Sequence, residues 1–316
     1  MIDLHAHIVL EESLGRAGAS GPELIEEPPS FRVGEYVLHG VRYRGTPFMD
    51  LPTRLEAMSR LGIAHQVLSP NPLTSFVSID AADALAYARV HNDALAVLSS
   101  GYPQLSGLAQ LPMQSPAAAV AELGRAVDIG LVGAAIVPDG FLPLDDPALD
   151  VLWECFVALD TPCFIHPNVP GIDERVDSRR WRFGLELTVG FAEAETRAVT
   201  TLICGGVVDR HPGLRIWVSH GGGALVALAP KLRRAAERRP GTVTALAEPG
   251  AFDDRLRRLW FDGHGAPDGL RGLTGDDRIC GGTNFAGWDQ PDSLPAPDLV
   301  TERDAASIAL LGFDPR

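Results

Sequence analysis

The chain has 316 residues, of which 46% are hydrophobic and 22% charged, and its formal net charge is −14 at pH 7. This composition belongs to a folded globular chain and excludes a disordered one. The acidic balance repels phosphate backbones and anionic lipid, so neither nucleic acid nor a membrane surface is an expected partner. Four cysteines, Cys155, Cys163, Cys204 and Cys280, stand far apart without CxxC spacing and read as reduced core residues of a cytoplasmic protein. No apolar run reaches the roughly 18 residues of a membrane span, and the opening Met-Ile-Asp-Leu-His has no signal-peptide pattern.

Short apolar runs alternate with stretches of helical period along the whole chain, which predicts βα units and a parallel sheet. The first strand is Ile2–Ile8, followed by an irregular stretch over 11–50. Leu51, Leu55, Met58 and Leu61 form one helical face that Gly62 stops, and strand two follows at 65–69. Asp80 caps a long Ala-rich helix to about residue 98, and strand three is predicted at 108–112. Ser115-Pro116 opens the next helix before strand four at 132–137; a helix over 145–159 then leads to strand five at 163–166. Helix 194–208, strand 214–219, helix 224–235, strand 259–262, a short helix near Leu270 and strand 278–282 complete eight strands.

Eight βα units in one chain predict an α/β fold, a (β/α)8 TIM barrel, with a seven- or eight-stranded open α/β sheet as the competitor. The expected organisation is a single domain over 1–316 with insertions at 11–50 and 167–193. Both insertions follow a strand's C-terminal end, strand one and strand five, where a barrel carries its active site, so they read as lids or substrate walls. Residues 236–255, with Pro240, Gly241, Pro249 and Gly250, form a third surface excursion.

His5 and His7 lie two apart on strand one, so their imidazoles point the same way, as divalent-metal ligands do. His166 ends strand five before Pro167, and His220 ends strand six before Gly221-Gly222-Gly223. Four histidines delivered to one rim by three strands are not explained by packing, since an apolar barrel core has no use for them. His264 follows strand seven at the same rim and reads as a substrate contact, whereas His39, His65, His91 and His211 read as surface or stability residues.

These residues resemble the amidohydrolase superfamily, in particular its aminocarboxymuconate-semialdehyde decarboxylase-like branch. The matching stretches include Ile2-Asp3-Leu4-His5-Ala6-His7, Arg54-Leu55-Glu56-Ala57-Met58 running on through Leu61-Gly62 to Gln66-Val67-Leu68-Ser69, Asn92-Asp93-Ala94-Leu95-Ala96, Leu111-Pro112-Met113-Gln114, Phe164-Ile165-His166-Pro167, Gly205-Gly206-Val207 and Ser219-His220-Gly221-Gly222-Gly223-Ala224, and the resemblance covers nearly the whole chain. The resemblance implies a dimeric barrel in which His5, His7 and His166 hold a divalent metal, zinc first and manganese as the alternative. It implies His220 as the catalytic general base or proton shuttle and Arg42 as the grip on a substrate carboxylate. Lys231 falls where the neighbouring subunit contributes an arginine, and it keeps the charge but not the bidentate fork.

The departure is on strand eight, where the family's metal-binding aspartate is replaced by Asn284 in Gly282-Thr283-Asn284-Phe285-Ala286. An amide neither neutralises the ion nor accepts a proton, so Asn284 enters as an altered catalytic position. Three readings are open: a working enzyme whose anionic substrate supplies the missing charge, a substitute carboxylate from Glu11, Glu12 or Asp289, or loss of metal or catalysis. The expected activity is a metal-dependent, non-oxidative decarboxylation of a small aromatic or muconate-like carboxylic acid, with Trp181 available as an aromatic wall. The rivals are a hydrolase, lactonase or hydratase on the same barrel, and a catalytically silent family member.

Overall fold

A computed structural model of the chain describes residues 1–169, 172, 181–239 and 241–315. The insertion expected over 167–193 therefore falls partly outside the described residues, at 170–171 and 173–180, as does Pro240 of the 236–255 excursion.

Eight parallel strands form the barrel wall in the order β1 (Ile2–Ile8), β5 (His65–Pro70), β6 (Leu105–Gln110), β7 (Gly133–Ile136), β8 (Cys163–Ile165), β9 (Ile216–Val218), β10 (Trp260–Asp262) and β11 (Ile279–Cys280). The last strand returns to the first: Leu4 donates its amide to the Gly281 carbonyl at 3.0 Å, and Phe285 donates to the His5 carbonyl at 3.1 Å. Closure requires Gly281, because a Cβ there would collide with the Ile2 carbonyl. The chain is thus the (β/α)8 barrel that the alternation predicts, not an open sheet.

The wall is covered by α1 (Leu51–Leu61), α2 (Ala81–Ser100), α3 (Pro116–Asp128), α4 (Asp150–Ala158), α5 (Leu185–Cys204), α6 (Val207–Arg210), α7 (Leu225–Arg238), α8 (Ala251–Leu256), α9 (Leu270–Thr274) and α10 (Pro297–Leu311). Their starts follow local chemistry. Asp50, Asp80 and Ser115 accept hydrogen bonds from the backbone amides of Thr53, Ala82 and Ala118, satisfying first-turn donors of α1, α2 and α3. No helix among the described residues is long and apolar enough to cross a membrane.

Four expectations are corrected. The stretch 11–50 is not irregular throughout: β2 (Glu23–Ile25), β3 (Ser30–Val33) and β4 (Tyr36–His39) make a separate three-stranded antiparallel sheet. Strand three sits at Leu105–Gln110, because Pro112 has no amide for the ladder and the chain has already left the sheet there. The helix expected over 194–208 is α5, which starts nine residues earlier at Leu185 and stops at Cys204 before Gly205. The helix α10 after strand eight was not foreseen.

The sheet in the first insertion does not stand alone. Phe31, Val33, Tyr36 and Tyr43 pack with Val9 of the β1 exit, Phe76 and Tyr87, and with Val169 and Ile172 from the second insertion. Trp181, Leu187 and Phe191 pack against the same cluster. Both insertions therefore share one apolar core, separate from the main core that lies between the barrel and its helices.

Candidate active site and metal centre

His5 and His7 are buried and lie on the same side of β1, with their Nε2 atoms 3.1 Å apart. His166 sits just past β8, and its ring lies 5.1 Å from His5 and 4.7 Å from His7, centroid to centroid. One ligand atom from each of the three falls within 4.8 Å of the others.

The outward nitrogens explain why the inward ones are available. His5 Nδ1 lies 2.7 Å from Asp262 Oδ2, and His166 Nδ1 lies 2.7 Å from the Pro167 carbonyl. His7 Nδ1 lies 2.8 Å from Ser69 Oγ, whose own hydrogen points to the Ala6 carbonyl. In each case Nδ1–H donates and Nε2 keeps a lone pair, the arrangement by which outer hydrogen bonds set a metal-binding tautomer. His166 Nε2 is buried without a protein partner. Burial, then the neighbouring imidazoles, hold His5 and His166 well below the ordinary histidine range, and burial pushes His7 down to about 3. Two lone pairs facing each other at 3.1 Å repel, and a shared cation relieves that repulsion. The donor set fits a divalent transition metal.

His220 lies beside this triad, 4.9 Å from His5 and 5.2 Å from His166 between ring centroids. Its backbone has φ of 47°, an uncommon region for a side chain of this size, and Gly221, Gly222 and Gly223 continue the positive-φ turn. Gly223 cannot be replaced, since a Cβ would strike the Ala192 carbonyl of α5. That close approach of α5 brings Glu195 under the loop, where its Oε1 lies 2.6 Å from His220 Nδ1 and also accepts from Ser219 Oγ. Burial alone pulls His220 down, but the Glu195 charge and hydrogen bond reverse this and hold it above the ordinary imidazole range. Phe164, which stacks on Trp217 at 4.6 Å, closes the floor below His5.

His264 reaches the same rim, with its ring 5.7 Å from His5 and 5.6 Å from His220. Asp289 joins it to strand eight: Oδ2 lies 3.1 Å from His264 Nε2, and Oδ1 accepts from Asn284 Nδ2 at 2.6 Å. Burial pushes Asp289 up, but the His264 bond and charge and the Asn284 amide outweigh it and hold the carboxyl at about 2. Of the three substitute carboxylates considered above, Glu11 pairs with Arg44 in solvent and Glu12 is exposed. Asp289 alone of the three contacts the rim residues His264 and Asn284.

The remaining expected contacts sit farther out. Arg42 is exposed and pairs with Glu26 and Glu27 at 3.9 and 3.5 Å. Lys231 lies exposed on α7. Trp181 packs edge-on against Tyr36 at 4.9 Å, inside the shared core of the insertions. Among the other histidines, His65, His91 and His211 are buried, not surface residues, while His39 is exposed.

A family model for amidohydrolases matches residues 2–312. The chain belongs to the amidohydrolase family. The amidohydrolase is 28% identical over 300 residues to 2-amino-3-carboxymuconate-6-semialdehyde decarboxylase of Dictyostelium discoideum, covering 90% of this chain and 81% of that one. It is 34% identical over 215 residues to gamma-resorcylate decarboxylase of a Rhizobium species, covering 65% of this chain and 64% of the relative. Among solved structures, a 2,6-dihydroxybenzoate decarboxylase complexed with 2,6-dihydroxybenzoate superposes with a TM-score of 0.69 at 26% identity, over 84% of this chain and 89% of that one.

Three site residues escaped the sequence reading: Ser69, Glu195 and Asp262. Glu195 had a legible signal, because it sits four and seven residues before Val199 and Leu202 on the buried face of α5. A carboxylate on an apolar helix face needs a partner. Asp262 ends β10 as His166 and His220 follow their strands, and only its acidic side chain set it apart.

Proposed function

We propose that this amidohydrolase is a metal-dependent, non-oxidative decarboxylase of a small aromatic or muconate-like carboxylic acid. The observation that carries the reading is the triad His5, His7 and His166, neutral and with Nε2 atoms converging, beside an imidazole that a buried carboxylate holds. The relatives named above are decarboxylases, which agrees with it. Zinc is the expected ion for three imidazoles, with manganese as the alternative.

His5, His7 and His166 would hold a divalent ion, which would supply Lewis acidity toward the negative charge that develops on the substrate. His220 has Nδ1 engaged by Glu195, which leaves Nε2 to carry the transferable proton. As the carbon–carbon bond breaks, its electron pair stays on the ring carbon, and the His220 proton takes the place of the departing carbon dioxide. Glu195 stabilises the cationic imidazole before transfer and orients it during transfer. Asn284 accepts no proton, so this chemistry rests on His220.

We read the chain as one barrel domain whose insertions 11–50 and 167–193 form the substrate walls, with Trp181 as an aromatic surface and His264 as a polar contact. Arg42 grips the incoming carboxylate in competition with Glu26 and Glu27. Lys231 approaches the site of a second subunit in a homodimer. The free cysteines fit a cytoplasmic setting. Hydrolysis or hydration is the second reading, favoured by the same Glu195–His220 pair, which can equally take a proton from water.

The test is to load the protein with Zn2+ or Mn2+, supply 2,6-dihydroxybenzoate and related ortho-hydroxybenzoates, and follow carbon dioxide release and incorporation of labelled water oxygen. Carbon dioxide release that disappears in His220→Ala with metal content intact supports the assignment. Water-oxygen incorporation without carbon dioxide, or a chain that takes up no metal, overturns it.

A further inference from the structure

The turn after β11 brings a carboxylate to a place that strand eight itself does not supply. Asn284 and Ala286 have φ of 48° and 65°, Gly287 donates its amide to the Asn284 carbonyl at 2.7 Å, and Gln290 Oε1 accepts from the Ala286 amide at 2.5 Å. The chain therefore folds back on itself within six residues. The side chain that returns is Asp289, and both of its oxygens are occupied: Oδ1 by Asn284 Nδ2 at 2.6 Å and Oδ2 against His264 Nε2 at 3.1 Å. Asn284 and His264 are both nearly excluded from solvent. An aspartate at 284 could not hold Asp289 this way, because two carboxylates at 2.6 Å must share a proton or separate.

We propose that Asn284 is a clamp for Asp289, and that Asp289 positions His264 as a second imidazole of the site, whose free nitrogen accepts a hydrogen bond from a hydroxyl group of the aromatic acid opposite His220. The assignment of the acid rests on the decarboxylase reading above; the clamp and the imidazole it orients do not. With Nε2–H directed to Asp289, His264 leaves Nδ1 for a ligand. The rim then carries two carboxylate–imidazole pairs, Glu195 with His220 and Asp289 with His264, whose rings are 5.6 Å apart. The negative charge missing from strand eight is restored one side chain farther from the triad, behind a donor and not on the ion.

The experiment is a swap measured in metal-loaded protein. The variants are Asp289→Asn, Asn284→Asp and the double exchange Asn284→Asp with Asp289→Asn. Three quantities are read: bound metal, the dissociation constant for 2,6-dihydroxybenzoate by calorimetry, and the His264 tautomer from imidazole nitrogen NMR shifts. Asp289→Asn keeps an amide-to-amide hydrogen bond but removes the charge. It is expected to retain metal, to weaken the ligand about tenfold, and to release His264 from its single tautomer. Asn284→Asp alone is expected to weaken the ligand and to release the His264 tautomer by forcing the carboxylates apart. The double exchange is expected to recover the 284–289 hydrogen bond but not the His264 tautomer, since the charge then sits on the wrong side of the pair. An unchanged His264 tautomer in Asp289→Asn overturns the positioning role, whatever the substrate. Failure of the wild-type protein to bind 2,6-dihydroxybenzoate, with the tautomer change intact, strikes the assigned acid and leaves the clamp standing.

Discussion

Asp262→Asn is the sharpest test of how this barrel prepares its metal ligands. The change keeps the shape of a fully buried side chain and removes the charge 2.7 Å behind His5 Nδ1. Loss of such an outer partner weakens metal binding about 10–100-fold. With free metal held at about one hundred times the wild-type dissociation constant, binding adds about 2.7 kcal/mol to wild-type stability. The same metal adds about 1.4 kcal/mol to a tenfold-weakened variant and about 0.4 kcal/mol to a hundredfold-weakened one. For a 316-residue chain the entropy of unfolding is about 0.7 kcal/mol per degree. Metal should therefore raise the wild-type midpoint by about 4 °C and the variant's by about 2 °C or less. Thermal scans with and without Zn2+, paired with a chelator competition for affinity, read both quantities. A variant that keeps the full metal-dependent shift and the wild-type affinity refutes the idea that Asp262 works through His5.

Three further outcomes follow from other parts of the molecule. Glu195→Gln should slow turnover by about 10²- to 10⁴-fold with metal content unchanged; metal loss in its place would make Glu195 part of the triad's support. His91, buried in α2, is held down to about 4 mainly by burial, against an ordinary 6.5, so the unfolded chain binds its proton first as the pH falls. Its contribution is complete above pH 6.5 and is lost towards pH 4, by about 3 kcal/mol in all, and His91→Gln should reduce the slope of denaturant stability against pH across that window, leaving the part due to the other buried histidines. An unaltered pH slope would remove His91 from the account. Arg54 is fully buried and donates to Gln66 Oε1 at 2.8 Å and to the His7 carbonyl at 2.5 Å. Arg54→Met should cost about 3–5 kcal/mol in urea unfolding, and a cost below about 1 kcal/mol would show that the brace is dispensable.

What the sequence made legible follows from the range over which each signal acts. The strand ends carrying His5, His7, His166 and His220 were readable because alternation along a strand and a terminating proline or glycine are local events. The antiparallel sheet at Glu23–His39 was not, because its strands are only three or four residues long and are divided by Pro28 and Pro29. The early start of α5 was hidden by Gly184 and Gly190, which weaken a helical reading that tertiary packing restores. The partners of the histidines were least accessible. Asp262 meets His5 across 257 positions and Glu195 meets His220 across 25, and no local pattern encodes such a pairing.

The common core of the two insertions bears on how specificity can change in this molecule. Phe31 and Tyr36 of the first insertion share their packing with Val169 and Ile172 of the second, and Tyr36 also donates to Glu186 at the start of α5. A loop transplanted alone from a relative would meet a surface shaped for a different neighbour and leave unfilled volume on both sides. On the proposed reading of the insertions as substrate walls, a new substrate preference is expected to require changing both as a matched pair, while the histidines on the strand ends stay where the barrel puts them.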